Sequence, residues 1–329
     1  MSEEEPRWGS HYTPSAEQQA LMPDADGNRI NGRGEAEIRP PTPLYWHSPK
    51  RIAHGRQQNW MLQRTTRLVP ETGALNDKLG GRGPNERAEK APVPEERSPG
   101  DWAAAVKDFA LKNESDQVAI AAMRPEWAFE GQDPGLPWIV VMAVAMDHDE
   151  LATAPEPLSV IEVMRQYNRG TRTARALADF IRRAGYEAIP HGGPQAGPVL
   201  LIPPALEAGL GELGKHGSII NRELGSSFRL AGVLTDMPLV ADRPDEFGAD
   251  GFCESCQVCA RACPPQAITH DKQLVRGVTR WYVDFEKCVP YFNETFGCGI
   301  CIAECPWSRP GVADRLVQKL ARRREAADG

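Results

Sequence analysis

All eight cysteines of this 329-residue chain fall between residues 253 and 305, in two runs of four. The first run reads Cys253-x2-Cys256-x2-Cys259-x3-Cys263-Pro264. The second reads Cys288-x9-Cys298-x2-Cys301-x3-Cys305-Pro306, the same arrangement with its first spacer lengthened. This is the spacing of a bacterial two-cluster ferredoxin: a tight loop aims successive thiolates at one cubane, and the cysteine before proline turns to the other. Cys253, Cys256, Cys259 and Cys305 are thereby assigned to one 4Fe-4S cluster, and Cys263, Cys288, Cys298 and Cys301 to a second. Zinc sites pair two separated C-x2-C units, or mix Cys with His, and lack the third cysteine followed by x3-Cys-Pro. A chain with this module handles single electrons.

The formal net charge of −7 argues against a general nucleic-acid binder. No apolar run approaches a membrane span, and the opening "MSEEEPRWGS" has neither the basic nor the apolar region of an export signal. The expectation is a cytoplasmic protein without a membrane span. In that reducing compartment, clustered cysteines read as metal or redox sites rather than as disulfides.

Residues 1–100 are rich in Pro, Gly, Arg and Asn and lack a long periodic segment, which predicts an irregular arm wrapping the body or partly disordered. Trp46 and Trp60 within it are expected to pack on the body or to line a pocket mouth. A helix begins near "SPGDWAAAVKDFALKNE", capped by Ser98 or Asp101, with Trp102, Val106, Phe109 and Ala110 on one face. The apolar run "LPWIVVMAVAM" reads as a buried strand. A long helix is predicted from Ser159 to about Arg183, stopped by Gly185, with Val160, Met164, Tyr167, Ala174, Leu177 and Ile181 as its stripe. "AGPVLLIPP" and "FRLAGVLTDMPL" suggest two further strands. The reading is an α/β (α+β) body over 101–245, a cluster module over 246–312 and a solvated helical tail over 313–329.

A ferredoxin module needs far fewer residues than the chain supplies, so the body must receive the electrons. No G-x-G-x-x-G and no P-loop is present, and "GLGELG" fails the dinucleotide fingerprint. Its glycines would still let a large planar ligand approach the backbone.

The block "AGLGELGKHGSIINRELGSSFRLAGVLTDMPL", followed by both cysteine runs and a closing "CPW", resembles the cobalamin-dependent reductases: reductive dehalogenases and the related epoxyqueuosine reductases. The similarity covers about residues 135–312. It implies a nitroreductase-like domain holding base-off cobalamin beside a ferredoxin-like domain with two 4Fe-4S clusters. In agreement, no D-x-H-x-x-G run supplies a lower cobalt ligand. Epoxyqueuosine reductases carry an Asp-Thr-Gly-Pro stretch ahead of this block, with the aspartate as proton donor, where this chain has Gln195-Ala196-Gly197-Pro198. An amide cannot serve as that acid.

The resemblance therefore favours the reductive dehalogenase branch, acting on an organohalide such as a halophenol. It implies Tyr167 and Lys215 as the catalytic pair, the cation stabilising the phenolate left after proton donation. It further implies Gly209, Gly211, Gly214, His216 and Gly217 as cobalamin-binding residues. Tyr186 reads as structural, and His191 is not assigned. The family's exported members carry a twin-arginine signal and some catabolic members a fused reductase; neither is seen here, so a separate electron-donor protein (ferredoxin or flavin reductase) is expected. Two alternatives remain open at this point: an epoxyqueuosine reductase acting on tRNA, and a non-catalytic corrinoid or electron-transfer protein.

Overall fold

A computed structural model describes residues 12–77, 87–193 and 197–328. The body is built on a four-stranded sheet of β1 (Gln117–Ala122), β2 (Trp138–Ala145), β3 (Ala188–His191) and β4 (Phe228–Thr235), in the order β1-β2-β4-β3. Every pairing is antiparallel, with Ile120 opposite Val140, Val140 opposite Val233, and Ile189 opposite Leu234. The fold is thus of the α+β kind, although helices and strands alternate in the sequence.

Strand β2 is apolar throughout because both faces are covered. Val140 and Met142 pack with Trp102, Val106, Ala174, Leu177 and Ile181 of two helices, α1 (Pro99–Lys112) and α2 (Pro157–Arg183). On the opposite face, Ile139, Val141 and Ala143 meet Val199, Ala205, Leu210 and Ile219. Period-2 alternation is lost when neither face meets water. The Ser98 hydroxyl caps α1, accepting from the Asp101 amide at 3.1 Å. Helix α2 starts at Pro157, whose fixed φ suits a first helical position, and Gly185 beyond its end has φ +91. The segment read as a strand at Val199 is only an isolated bridge to Ala128, followed by the helix Ile202–Glu207.

The cluster module carries its cysteines on and between short helices, including Ala249–Ser255, Val258–Ala262, Phe285–Glu294 and Ile300–Ala303. The tail helix Val312–Asp328 is not wholly solvated: Leu316, Val317 and Leu320 pack beside Phe247, Cys253 and Trp307.

The N-terminal segment departs from the expected irregular arm, since it contains helices Ala16–Leu21, Gly55–Leu68 and Pro70–Asp77. The longest buries Gln57, Gln58, Met61 and Thr65. A mostly polar buried face leaves no apolar periodicity to read. Many of its contacts go to the cluster module rather than to the body. Tyr12 donates to Glu294 at 2.6 Å, the Gly27 amide donates to Glu286 at 2.6 Å, and Tyr282 and the Phe285 amide donate to Asn28 at 2.9 and 2.8 Å. Residues 87–95 run instead along the end of α2, where the Ala91 amide donates to Arg182 O at 3.0 Å. Among the described residues, no helix is long and apolar enough to cross a membrane.

Candidate active site and cluster centre

The chain positions the second cysteine run with unusual backbone. Gly297, Cys298 and Gly299 all have positive φ, so the turn leading into Ile300–Ala303 reverses within three residues and aims the Cys298 thiol inward. Burial pushes the thiols up, to about 12 for Cys253, Cys259 and Cys288 and to about 11 for Cys298 and Cys305. After burial, their mutual repulsion sorts them. Cys253 and Cys259 feel Cys305 and Cys256, Cys288 feels Cys298 and Cys263, and Cys301 feels all three of that second set together with Cys259. Thiols held this high become thiolates when a strongly electropositive centre binds them. Among the described residues, no three His, Cys, Asp or Glu side chains converge on a single-ion position.

A cavity of about 1450 Å³ lies between body and module. Gly211, His216, Gly217 and Ser218 line it from the hairpin of Glu212–Leu213 and Ile219–Ile220; Cys263, Cys288, Cys298 and Cys301 line it from the module. The other four cysteines do not. The cavity is larger than the roughly 300–1,000 Å³ of a drug-sized pocket and has backbone walls at its glycines, which fits a large planar group such as a corrinoid. Gly211 itself is required by the hairpin: at φ +142, a Cβ there would stand 2.1 Å from Ile220 O. Both ring nitrogens of His216 are engaged, one at 3.0 Å from Ser226 Oγ and the other accepting from the Ser218 amide at 3.2 Å. Burial lowers its pKa to about 4, and it orders the hairpin as a neutral ring.

A second cavity, of about 330 Å³, adjoins the first and shares Leu200, Ile202, Ser218 and Arg229 with it. Tyr45, Trp46, Phe129, Tyr167 and His191 complete much of its wall. The Arg229 guanidinium lies 5.2 Å from the Tyr167 ring centroid, and among the described residues its Nε has no hydrogen-bond partner. His191 accepts the Gly197 amide at Nε2, 3.0 Å away, which leaves the proton of the neutral ring on Nδ1. Burial, then the neighbouring His47, lowers the His191 pKa to about 4; among the described residues, Nδ1 is a donor without a partner.

The expected site residues are therefore divided. Tyr167 lines the smaller cavity, but Lys215 lines neither; its Nζ lies 4.7 Å from the Trp281 ring centroid in the cluster module. The hairpin turn carries the lysine side chain toward the cysteine loop and away from α2. Gly211, His216 and Gly217 reach the larger cavity. Gly209 does not, being packed against Arg243 O, nor does Gly214, which packs against the His216 ring. Trp46 reaches the smaller cavity and Trp60 does not. Tyr186 donates to Glu95 O at 3.0 Å and packs on Trp102. Gln195 and Ala196 lie outside the described residues. Arg229 is not among the residues expected from the sequence; its signal is a lone arginine in the otherwise apolar "FRLAGVLT".

Residues 252–308 match the 4Fe-4S dicluster domain family. The chain is 36% identical over 183 residues to tetrachloroethene reductive dehalogenase of Sulfurospirillum multivorans, covering 53% of this chain and 36% of that protein. It is also 36% identical, over 129 residues, to epoxyqueuosine reductase of Escherichia coli (strain K12), covering 34% of this chain and 31% of that protein. Among solved structures, it superposes on the catabolic reductive dehalogenase NpRdhA in complex with 3-bromo-4-hydroxybenzoic acid, with a TM-score of 0.66 and 29% identity, covering 83% of this chain and 40% of that one. The chain is thus similar to reductive dehalogenases and, over a shorter stretch, to epoxyqueuosine reductases. It spans little more than a third of the length of the curated dehalogenases it matches, 36% and 38% in two of them.

Proposed function

We propose that the chain carries the reductive dehalogenase reaction: two electrons and one proton replace a carbon–halogen bond by a carbon–hydrogen bond and release halide. The observation that carries this reading is the junction of the two cavities at Arg229, with a tyrosine on one side and four cysteines of one assigned cluster on the other. When bound, a base-off corrinoid in the larger cavity would supply the low-valent metal that attacks the carbon–halogen bond, reduced through two 4Fe-4S clusters on the assigned cysteines. Gly211, His216, Gly217 and Ser218 would hold it from the body.

The chain's own residues perform the remaining tasks. Tyr167 is the proton donor, and Arg229, in place of Lys215, stabilises the phenolate that it leaves. The substrate is a halogenated aromatic bearing an oxygen acceptor. A cavity of about 150 Å³ already accepts benzene, so about 330 Å³ holds a substituted ring. The unpartnered His191 Nδ1 and Arg229 Nε are donors for its oxygen. The NpRdhA complex with 3-bromo-4-hydroxybenzoic acid makes that compound the natural probe. Electrons come from a separate ferredoxin or flavin reductase.

The test is a cofactor assay on protein produced anaerobically with cobalamin supplied. The reading expects about eight irons, eight sulfides and one cobalt per chain, with a corrinoid absorption spectrum. Full iron without cobalt would reduce the protein to an electron-transfer module.

A further inference from the structure

Lys215 is 1% exposed and among the largest fully buried side chains of the protein. Among the described residues, its ammonium is given no carboxylate partner. Nζ lies 3.5 Å from the Glu254 carbonyl, a long contact, and 4.7 Å from the Trp281 ring centroid. The nearby carboxylates of Asp250 and Glu254 are taken by Lys272, at 2.6 and 3.9 Å, on the same ring system. A buried charge left without a counter-charge is strongly destabilising. Glu254 is the neighbour of Cys253 in the chain, and Trp281 packs in one apolar cluster with Cys253 and Cys305. The missing anion is therefore located by the geometry: it is the thiolate cluster itself.

The same hairpin touches this cysteine set twice more. The Lys215 amide hydrogen-bonds the Cys253 sulfur, and the Ser226 hydroxyl lies against that of Cys305. On the set that lines the large cavity, the neighbouring cation is Lys287, which acts on Cys263 from within the module and not from the hairpin.

We propose that Lys215 is a redox-positioning residue whose fixed charge raises the reduction potential of the cluster on Cys253, Cys256, Cys259 and Cys305. A 4Fe-4S cluster on four thiolates gains one negative charge on reduction, and a neighbouring ammonium stabilises the reduced form more than the oxidised one. The inference rests on the two-cluster reading and is independent of which substrate the body takes.

The experiment is a potentiometric titration of the anaerobically loaded protein, followed by electron paramagnetic resonance, on wild type, Lys215→Met and Lys215→Arg, with iron counted in each. Lys215→Met keeps the amide contact to Cys253 and removes only the charge. One of the two potentials should fall in Lys215→Met by about 59 mV or more, a tenfold change in a one-electron equilibrium, and stay near wild type in Lys215→Arg. Full iron with both potentials unchanged in Lys215→Met would overturn the proposal, as would equal falls in both variants. Iron loss in Lys215→Met alone supports a charge requirement; iron loss in both variants assigns the side chain to packing and overturns it. Fewer than about eight irons in wild type would instead refute the two-cluster reading.

Discussion

The Arg229 guanidinium stands over the ring of Tyr167, 5.2 Å from its centroid, joining the central strand β4 to the long helix α2 at the boundary of two cavities. In the proposed reaction, Arg229 offsets the negative charge left on Tyr167 after proton donation. Arg229→Gln should therefore lower turnover about 10²-fold or more, the loss typical of one preorganised charge-stabilising group, with iron content unchanged. Turnover kinetics at saturating substrate check this; a rise in KM alone would confine Arg229 to binding.

The two cysteine sets should respond differently to substitution. Cys301→Ser and Cys253→Ser should each lower iron from about eight to about four per chain. Of these two, Cys301 lines the large cavity and Cys253 does not. Cobalamin retention, read from the absorption spectrum after gel filtration, should fall in Cys301→Ser and be largely kept in Cys253→Ser.

Acid should destabilise the protein through its buried histidines. Burial holds His216, and burial with His47 holds His191, at about 4 in the folded state, against about 6.5 when unfolded. Between those values the unfolded chain binds more protons than the folded one, so stability falls as pH drops below about 6.5 and the effect is complete below about 4. Denaturant midpoints from pH 7.5 to 5 should decline in wild type and less steeply in His191→Asn. Equal slopes would show that His191 is not neutral in the folded protein.

Trp102 is completely buried where α1, α2 and β2 meet. Trp102→Ala should cost about 3–5 kcal/mol in chemical denaturation, with the cluster spectrum of the folded fraction unaltered.

How far the sequence disclosed this arrangement depended on whether spacing or three-dimensional packing carried the information. Cysteine spacing is a local property, so the cluster module, matched over residues 252–308, was legible and two ligand sets could be proposed from it. The apolar runs of β2 and α2 likewise mark a core. Tyr167 is an expectation from its place on the α2 stripe together with the family resemblance, and it lines the smaller cavity. Lys215 is paired with it by its position in "GKHG", as the resemblance implies, yet a turn can send a side chain to either side of a hairpin. Arg229 was invisible for the complementary reason: its neighbour Tyr167 lies 62 positions away, by 229 − 167 in the numbering. The arm helix Gly55–Leu68 escaped because Gln57, Gln58 and Thr65 fill its buried face, and periodicity methods count apolar residues only.

The most direct measurement of the central claim is bromide release from 3-bromo-4-hydroxybenzoate by the anaerobically produced, cobalamin-loaded protein under a low-potential reductant, beside Tyr167→Phe loaded to the same iron and cobalt. The account predicts one bromide and one 4-hydroxybenzoate per turnover in wild type, and a loss of about 10²–10⁴-fold in the variant, the usual contribution of a general acid. Equal release by both proteins would remove Tyr167 from the chemistry. A fully loaded wild type that releases no halide from this or any other halogenated phenol would contradict the proposed function.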